Sequence, residues 1–218
     1  MKIYKAMYIT DKGIEIPTEM RLARITPKQL EKYLTSNKTE RNGWCLQNNV
    51  PCSKYGARPC CPPNVPMFDK LKKRKYIYLF ATTIEKEPYF ELFPKQSAVK
   101  GKTRDYFFMQ TSHYITRGMV GKMSNFLKQD GEQTFKVGGC NGCTFSKDGK
   151  CKDFRPALEA TGIDVVTLSE EVLGLPIQWR SSPSLDRMTA VSALYTDREV
   201  KPKEFYEAYL KACDKRRK

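Results

Sequence analysis

"KYIYLFATT" (Lys75–Thr83) decides the fold, because this stretch is predicted to form the central strand of the chain. Aromatic and β-branched residues dominate it, as they do in strands that pack on a pleated surface. The apolar run inside it, from Tyr76 to Ala81, is the longest in the sequence and is far too short to cross a bilayer. We therefore predict a strand in the middle of a sheet.

Strands and helices alternate on both sides of this segment. The predicted strands are KAMYI (Lys5–Ile9), TFKVGG (Thr134–Gly139) and MTAVSALYT (Met188–Thr196), and the predicted helices are Thr26–Ser36, Met109–Gln129 and the amphipathic stretch from Pro202. FRPALEATGIDVVTL (Phe154–Leu168) is predicted to form a short helix, a turn and a strand. The alternation favours an α/β fold, with a mixed sheet flanked by helices and two cysteine-rich loops. We expect one domain over residues 1–218, ending in a basic helix and tail at about residues 202–218.

Local signals mark the ends of the predicted helices. Thr26 is a candidate N-cap, and Pro27 follows it at the first helical position. Gly131 is expected to end the long helix. The residues predicted to line one face of that helix are Tyr114, Met119, Met123, Phe126 and Leu127.

Composition points to a globular protein with its own core. The 218 residues are 40% hydrophobic, which is enough to fold without disulfide staples. Seven of the eight cysteines lie in two clusters, a distribution that favours metal binding over a disulfide framework. The beginning, MKIYKAMYIT, has no apolar stretch of signal-peptide length. We expect a cytoplasmic protein with reduced thiols and no membrane partner.

The chain is strongly basic, with a net charge of +15 and a pI near 9.4. Lysine and arginine concentrate in KLKKRK (Lys70–Lys75), in Lys95–Arg104 and in the C-terminal tail. This balance favours an acidic partner, either RNA or an acidic redox protein, unless the basic runs are ordinary solvated faces. The aromatic string Tyr106, Phe107 and Phe108 beside the second run either stacks on RNA bases or belongs to the core.

The later cysteine group is GGCNGCTFSKDGKC, which contains Cys140, Cys143 and Cys151. Two residues between the first two cysteines allow both thiolates to bind one metal centre. The glycines around them admit close backbone approach, so that amide groups can point at sulfur. A redox dithiol needs only two thiols, so the third cysteine favours a metal centre.

The earlier group contains Cys45, Cys52, Cys60 and Cys61, within residues 41–66. Apolar residues show no regular spacing in this loop. We interpret it as a loop that folds around a metal centre, so that the free energy of metal binding takes the place of the free energy of hydrophobic packing. Two prolines follow Cys61, as proline follows a ligand in ferredoxin-type runs, although the spacing here differs. The alternative is that the four are buried thiols that behave as small apolar side chains.

The number and kind of metal centres stay open at this point. The seven clustered cysteines are enough for one centre or two, either iron–sulfur or zinc. A zinc ribbon would use two Cys-x2-Cys pairs, and this chain has one. The single histidine, His113, falls inside the predicted long helix, where a structural side chain is favoured over a ligand. Cys213 stands alone in the last helix and is expected to be a buried apolar residue.

These motifs resemble a family of predicted metal-binding proteins common in anaerobic archaea and bacteria. The resemblance spans roughly residues 41 to 195 and rests on two motifs. The first, C-x6-C…CPP, comprises Cys45, Cys52, Tyr55-Gly56, Cys61-Pro62-Pro63 and Pro66. The second, C-x2-C-x7-C…GID, comprises Cys140, Cys143, Cys151 and RPALEATGIDV from Arg155. The chain departs from the family pattern in Cys60, in a longer interval between Cys151 and Pro156, and in the basic segment Lys95–Arg104.

The resemblance implies an iron–sulfur protein, with a [4Fe–4S] cluster as the expected cofactor. Cys61 is favoured over Cys60 as its ligand, because the Cys-Pro-Pro motif matches at Cys61. The expected ligand set is therefore Cys61, Cys140, Cys143 and Cys151.

Three functions fit such a centre. An open iron would suit sulfur chemistry or tRNA modification, closed ligation would suit electron transfer to a redox partner, and a structural metal would support a nucleic-acid-binding module. The sequence contains no Gly-rich phosphate loop, GxSxG elbow, HExxH motif or CxxxCxxC run. It therefore leaves open whether the protein is an enzyme.

Overall fold

A five-stranded sheet forms the centre of the molecule. The structure is a computed structural model that describes residues 1–34, 46–47, 50–51, 56, 60–62, 64–93, 103–135, 137, 155–178 and 185–214. The strands of the large sheet are β1 (Lys2–Ile9), β2 (Glu15–Ile25), β5 (Tyr76–Glu85), β6 (Gln133–Thr134) and β7 (Arg187–Thr196), and β3 (Leu46–Gln47) and β4 (Val50–Pro51) form a separate pair. The order in the large sheet is β1-β2-β5-β7-β6, so β5 is central, as predicted.

Every strand pair of the large sheet is antiparallel, where a mixed sheet was expected. β1 and β2 form a hairpin in which Lys2 faces Leu22 and Ile9 faces Glu15. Along the full length of β5, Tyr76 faces Thr196 of β7 and Glu85 faces Arg187.

Helices cover both faces of the sheet and confirm the α/β class. The α-helices in the described part are α1 (Pro27–Leu30), α2 (Lys86–Leu92), α3 (Arg104–Leu127), α4 (Val165–Leu173) and α5 (Pro202–Cys213), and single 3-10 turns span Glu31–Tyr33, Phe68–Lys70 and Glu159–Thr161. None of the helices in these ranges is both long and apolar enough to span a membrane.

Alternate side chains of β5 belong to two separate cores. Tyr78 and Phe80 pack with α3 and α5 on one face, which we call the α3 face. Ile77 and Leu79 pack with α4 on the opposite face, which we call the α4 face. This division follows from the period of two residues in a strand and makes β5 buried on both sides.

The α4 segment corrects a prediction. The stretch GIDVVTL was expected to be a turn and a strand, but Val165–Leu173 is helical. Asp164 accepts hydrogen bonds from the amides of Val166 and Thr167 at 3.1 Å each, and Gly174 takes a left-handed conformation after the helix. Capping at both ends therefore outweighs the strand preference of the β-branched residues.

The long helix is present but displaced from its predicted bounds. It begins at Arg104 because the Thr103 side chain accepts from the amide of Tyr106, and it ends at Leu127 before Gly131 is reached. Met119, Met123 and Leu127 are buried as predicted, but Tyr114 and Phe126 are 69% and 53% exposed. The predicted face was therefore partly wrong.

Two further elements differ from the sequence prediction. Thr26 caps α1 as expected, in a capping box with Gln29, but the α-helix lasts only four residues. β2 was not anticipated, although Ile16, Met20 and Leu22 are buried at alternate positions. Pro17 argues against a strand in the sequence and is tolerated here because β2 pairs with β5 only from Glu19 onward, so that β2 has one unpaired edge at Pro17 within the described sheet.

Cys213 is buried, as the sequence predicted for a cysteine outside the metal groups. Its side chain is 3% exposed, and its sulfur lies 3.8 Å from the Thr18 hydroxyl, which also lies 2.7 Å from the Tyr209 hydroxyl. The Thr18 hydroxyl donates to the carbonyl of Ala6 at 2.9 Å, so it accepts from Tyr209. Burial raises the pKa of Cys213 to about 11.

Cys213 should consequently resist alkylation in the native protein. A pKa of about 11 instead of 9.0 leaves about 100-fold less thiolate at pH 8, and burial blocks access as well. Iodoacetamide labelling followed by peptide mapping should show slow modification of Cys213 at pH 8 and fast modification in denaturant. Equal rates in the two conditions would contradict the buried position.

Candidate metal centre

The chain segments that flank the two cysteine groups meet in a small buried cluster. Val65, four residues after Cys61, packs with Ala157 and Ala160, which follow the second group. These side chains are 1%, 3% and 2% exposed. The chain leaving the first group and the chain leaving the second group are therefore in direct contact.

An aromatic contact joins the first group to the start of the second. Phe68 lies seven residues after Cys61, and its ring centroid is 6.3 Å from that of Phe135, five residues before Cys140. The Phe68 ring also lies 5.2 Å from Tyr195 of β7. All three side chains belong to the core on the α4 face of the sheet.

The chain entering the first group is fixed at the same place. Leu34 forms an antiparallel bridge with Ile163, and the Asp164 amide donates to the Tyr33 carbonyl at 2.9 Å. Between these segments, Gly162 has φ +89°, and a Cβ there would lie 2.6 Å from the terminal methyl group of Met67. A glycine at this position therefore lets three segments of the chain pack together.

The described part of the first group is a tight turn that contains Cys60 and Cys61. The amide of Gly56 donates to the Pro62 carbonyl at 2.8 Å, and the amide of Asn64 donates to the Cys61 carbonyl at 3.0 Å. Cys60 is fully buried, whereas Cys61 is half-buried. The difference in burial distinguishes the two cysteines that the sequence could separate only by motif.

The long helix α3 holds both ends of the second group. Arg117 donates from Nη2 to the Val137 carbonyl at 3.1 Å, three residues before Cys140. Arg155, four residues after Cys151, donates from Nη1 to the Asn125 side chain. Arg155 begins the RPALEATGIDV stretch of the family resemblance, but the roles of Arg117 and Asn125 were not predicted, because nothing local in the sequence signals a contact from a helix to a distant loop.

The remaining predicted ligands, Cys45, Cys52, Cys140, Cys143 and Cys151, lie outside the described residues. Within the described ranges, no group of three or more His, Cys, Asp or Glu side chains could hold a metal ion. The predicted ligands of the two groups are all cysteine thiolates, which suit zinc or an iron–sulfur cluster and disfavour magnesium or calcium.

Other candidate residues are placed in structural roles. His113 lies in α3 with its Nε2 atom 3.4 Å from Nη1 of Arg117. Phe108 is completely buried in the core of the α3 face, and Tyr106 and Phe107 are half-buried. Of the aromatic string, Phe108 is therefore not available to an RNA base.

The basic run Lys70–Lys75 divides into exposed and structural cations. Lys70, Lys72, Lys73 and Lys75 are exposed. Arg74, whose side chain is 13% exposed, pairs with Asp197 at 2.8 Å. The other basic run, Lys95–Arg104, lies outside the described residues except for Thr103 and Arg104.

Comparison with known proteins places the chain in a family. The model of the predicted metal-binding proteins DUF2284 matches residues 38–195, which include every clustered cysteine. The chain is a member of DUF2284. This membership confirms the resemblance to predicted metal-binding proteins. No curated protein and no solved structure gave a significant match.

The packing around Gly162 of this DUF2284 protein can be tested by comparing its replacement with that of Gly13, a second glycine with positive φ. Gly162→Ala should destabilise the fold by about 2–3 kcal/mol, because it adds a left-handed penalty and a clash with the thioether of Met67. Gly13 has φ +75° with nothing within 4 Å of a Cβ, so Gly13→Ala should cost only about 1 kcal/mol. Chemical denaturation measures both costs. Equal losses would show that Met67 moves aside freely and that the packing is loose.

Proposed function

We propose that this DUF2284 protein is an iron–sulfur protein whose [4Fe–4S] cluster is held by Cys61, Cys140, Cys143 and Cys151. The proposal joins two cysteine groups that are about 80 residues apart in the chain. Cys45 and Cys52, with Cys60, remain available for a second centre. Zinc is the alternative metal.

The contact between the flanks of the two groups is the observation that carries the proposal. Val65 packs against Ala157, and the Phe68 and Phe135 rings lie 6.3 Å apart. Cys140 follows Phe135 by five residues, so chain length alone keeps its Cα within about 18 Å of that of Phe135. The contact supports the proposal because it brings the chain that leaves the first group together with the chain on both sides of the second group.

The donor chemistry favours iron over zinc. The chain has one Cys-x2-Cys pair and a third cysteine close by, whereas a zinc ribbon uses two such pairs. Its only histidine lies on α3 beside Arg117. A cluster held by three thiolates supplies an iron open to an external ligand, as sulfur chemistry or tRNA modification would need, and one held by four supplies electron transfer.

Burial supports Cys61 as the ligand from the first group. Cys61 is half-buried, in a turn whose backbone is fixed by Asn64. Cys60 has no exposed surface. A partly exposed thiol suits a centre shared with the second group better than a fully buried one.

Single cysteine replacements test this ligand set. In protein purified without oxygen, Cys140→Ser and Cys61→Ser should each lose most of the bound iron and acid-labile sulfide, together with the brown absorption and the EPR signal of the reduced form. Cys60→Ser should keep its iron.

Cys213→Ser is the matched control, because this thiol is buried in α5 near Thr18 and should not contribute to the cluster. Full iron in Cys140→Ser would reject that ligand. A colourless wild-type protein that contains zinc would reject the iron–sulfur proposal as a whole.

Nucleic-acid binding is a second candidate, and the exposed lysines Lys70, Lys72, Lys73 and Lys75 support it. They follow the first cysteine group directly, and the 3-10 turn Phe68–Lys70 connects the two. Acidic neighbours reduce the local charge only in part: Asp69 lies 3.6 Å from Lys70, and Asp197 pairs with Arg74. A polyanion bound to these four lysines would lie beside the metal centre.

Replacing two of these exposed lysines by glutamate tests whether they bind nucleic acid. Lys72→Glu with Lys73→Glu should weaken binding to a labelled tRNA and flatten its salt dependence, because fewer counterions are released. Lys2→Glu with Lys5→Glu removes the same charge from the edge strand β1 and should have a smaller effect. Fluorescence anisotropy across a salt series measures both. Equal effects would reduce the interaction to net charge, and no binding by the wild type at low salt would exclude it.

A further inference from the structure

Several arginines of this protein donate to backbone carbonyls, and the carbonyl that Arg117 contacts belongs to the chain leading into the second cysteine group. Arg21 donates to the carbonyls of Leu173 and Gly174 at the end of α4, at 3.0 and 2.8 Å. Arg198 donates to the Leu127 carbonyl at the end of α3, at 2.7 Å. These contacts satisfy carbonyls that have no partner within their own helices.

Arg117 donates instead to the chain that leads into the second cysteine group. Its target, the Val137 carbonyl, belongs to no helix and lies three residues before Cys140. The other guanidinium nitrogen lies 3.4 Å from Nε2 of His113 on the preceding turn of the helix. The contact therefore does nothing for a helix end and acts only on the approach to the cysteines.

The two anchors of the second group lie on one face of α3. Arg117, Gly121 and Asn125 are spaced by four residues each, and residues at that spacing share a helix face. Eight residues of helix separate the contact at Val137 from the contact at Arg155 by about 12 Å along the axis. Gly121 stands between them, and a Cβ on it would meet no described atom within 4 Å.

We propose that Arg117 is a positioning residue for the metal centre, and that α3 anchors the described chain on both sides of the second cysteine group. The inference rests on the proposed function, since it assigns a role toward that cluster. Arg117 fixes the start of the group through Val137, and Asn125 fixes its end through Arg155. With both ends fixed, the cysteines between them lose less chain entropy when metal binds.

The charge of Arg117 serves the same role. Thiolate-ligated centres are anionic, and a fixed cation close to them offsets part of that charge. A guanidinium suits this better than an ammonium group, because one nitrogen can donate to the Val137 carbonyl while the delocalised charge remains. Groups outside the metal ligands commonly tune both affinity and potential in this way.

Replacing Arg117 separates its positioning role from simple stability. Arg117→Met removes the donor and the charge, and should speed the loss of iron to a chelator by about 10-fold or more. It should also make the reduction potential of the remaining cluster more negative, because a cation near an anionic centre is gone. Arg117→Lys restores the charge and should recover the potential more fully than the retention of iron.

Arg21→Met is the matched control, because it removes a carbonyl contact of the same kind at the end of α4. It should lower the thermal midpoint and leave both iron loss and potential unchanged. If Arg117→Met behaves like Arg21→Met, the positioning role is wrong while the proposed function stands. A wild-type protein without iron would overturn both.

Discussion

The interaction on which the candidate site depends is the burial of Phe68 against Phe135 and Tyr195 on the α4 face of the sheet. Removing an aromatic side chain from such a core costs about 3–5 kcal/mol, so this contact firmly joins segments that are far apart in sequence. Val65 with Ala157 extends the same contact to the chain that leaves the second cysteine group. The core that stabilises the fold is thus also what keeps the flanks of the two groups together, and metal binding does not have to supply that proximity from an open chain.

Much of the framework could be predicted from local sequence. β5 was readable because aromatic and β-branched residues fill it, and β7 and α5 were readable in the same way. The prediction for Val165–Leu173 was wrong because its β-branched residues favour a strand. The N-cap at Asp164 and the left-handed Gly174 at the C-terminal end stabilise a helix instead. β2 was not predicted, although its buried residues alternate regularly; Pro17 near its start is tolerated because β2 pairs with β5 only from Glu19 onward. In both cases, neighbours outside the local pattern decided the outcome.

The candidate site likewise has parts that the local sequence predicts and parts that it does not. Cysteine spacing is a local signal, so the sequence alone nominates Cys61 and the three cysteines of the second group. The supports of those groups are contacts between distant segments, such as Arg117 with Val137, and no spacing rule predicts them. The same holds in part for Gly162, whose need for glycine comes from the packing of Met67 as well as from its own left-handed conformation. Candidate ligands can therefore be named from the sequence, whereas the contacts that hold the chain around them depend on tertiary packing.

Arginine and lysine have different roles in this protein. Arginines such as Arg21, Arg104 and Arg198 donate to carbonyls at the ends of α4, α2 and α3, where a planar group with several donors satisfies helix ends that water would otherwise solvate. Lysines such as Lys72 and Lys73 remain exposed. The net charge of +15 thus overstates the cationic surface that a polyanion could use, because part of it is committed to the fold. Any partner attracted by charge would therefore meet lysine, an ammonium point charge that binds phosphate without the paired hydrogen bonds of arginine, and its binding would be salt-sensitive and weakly specific.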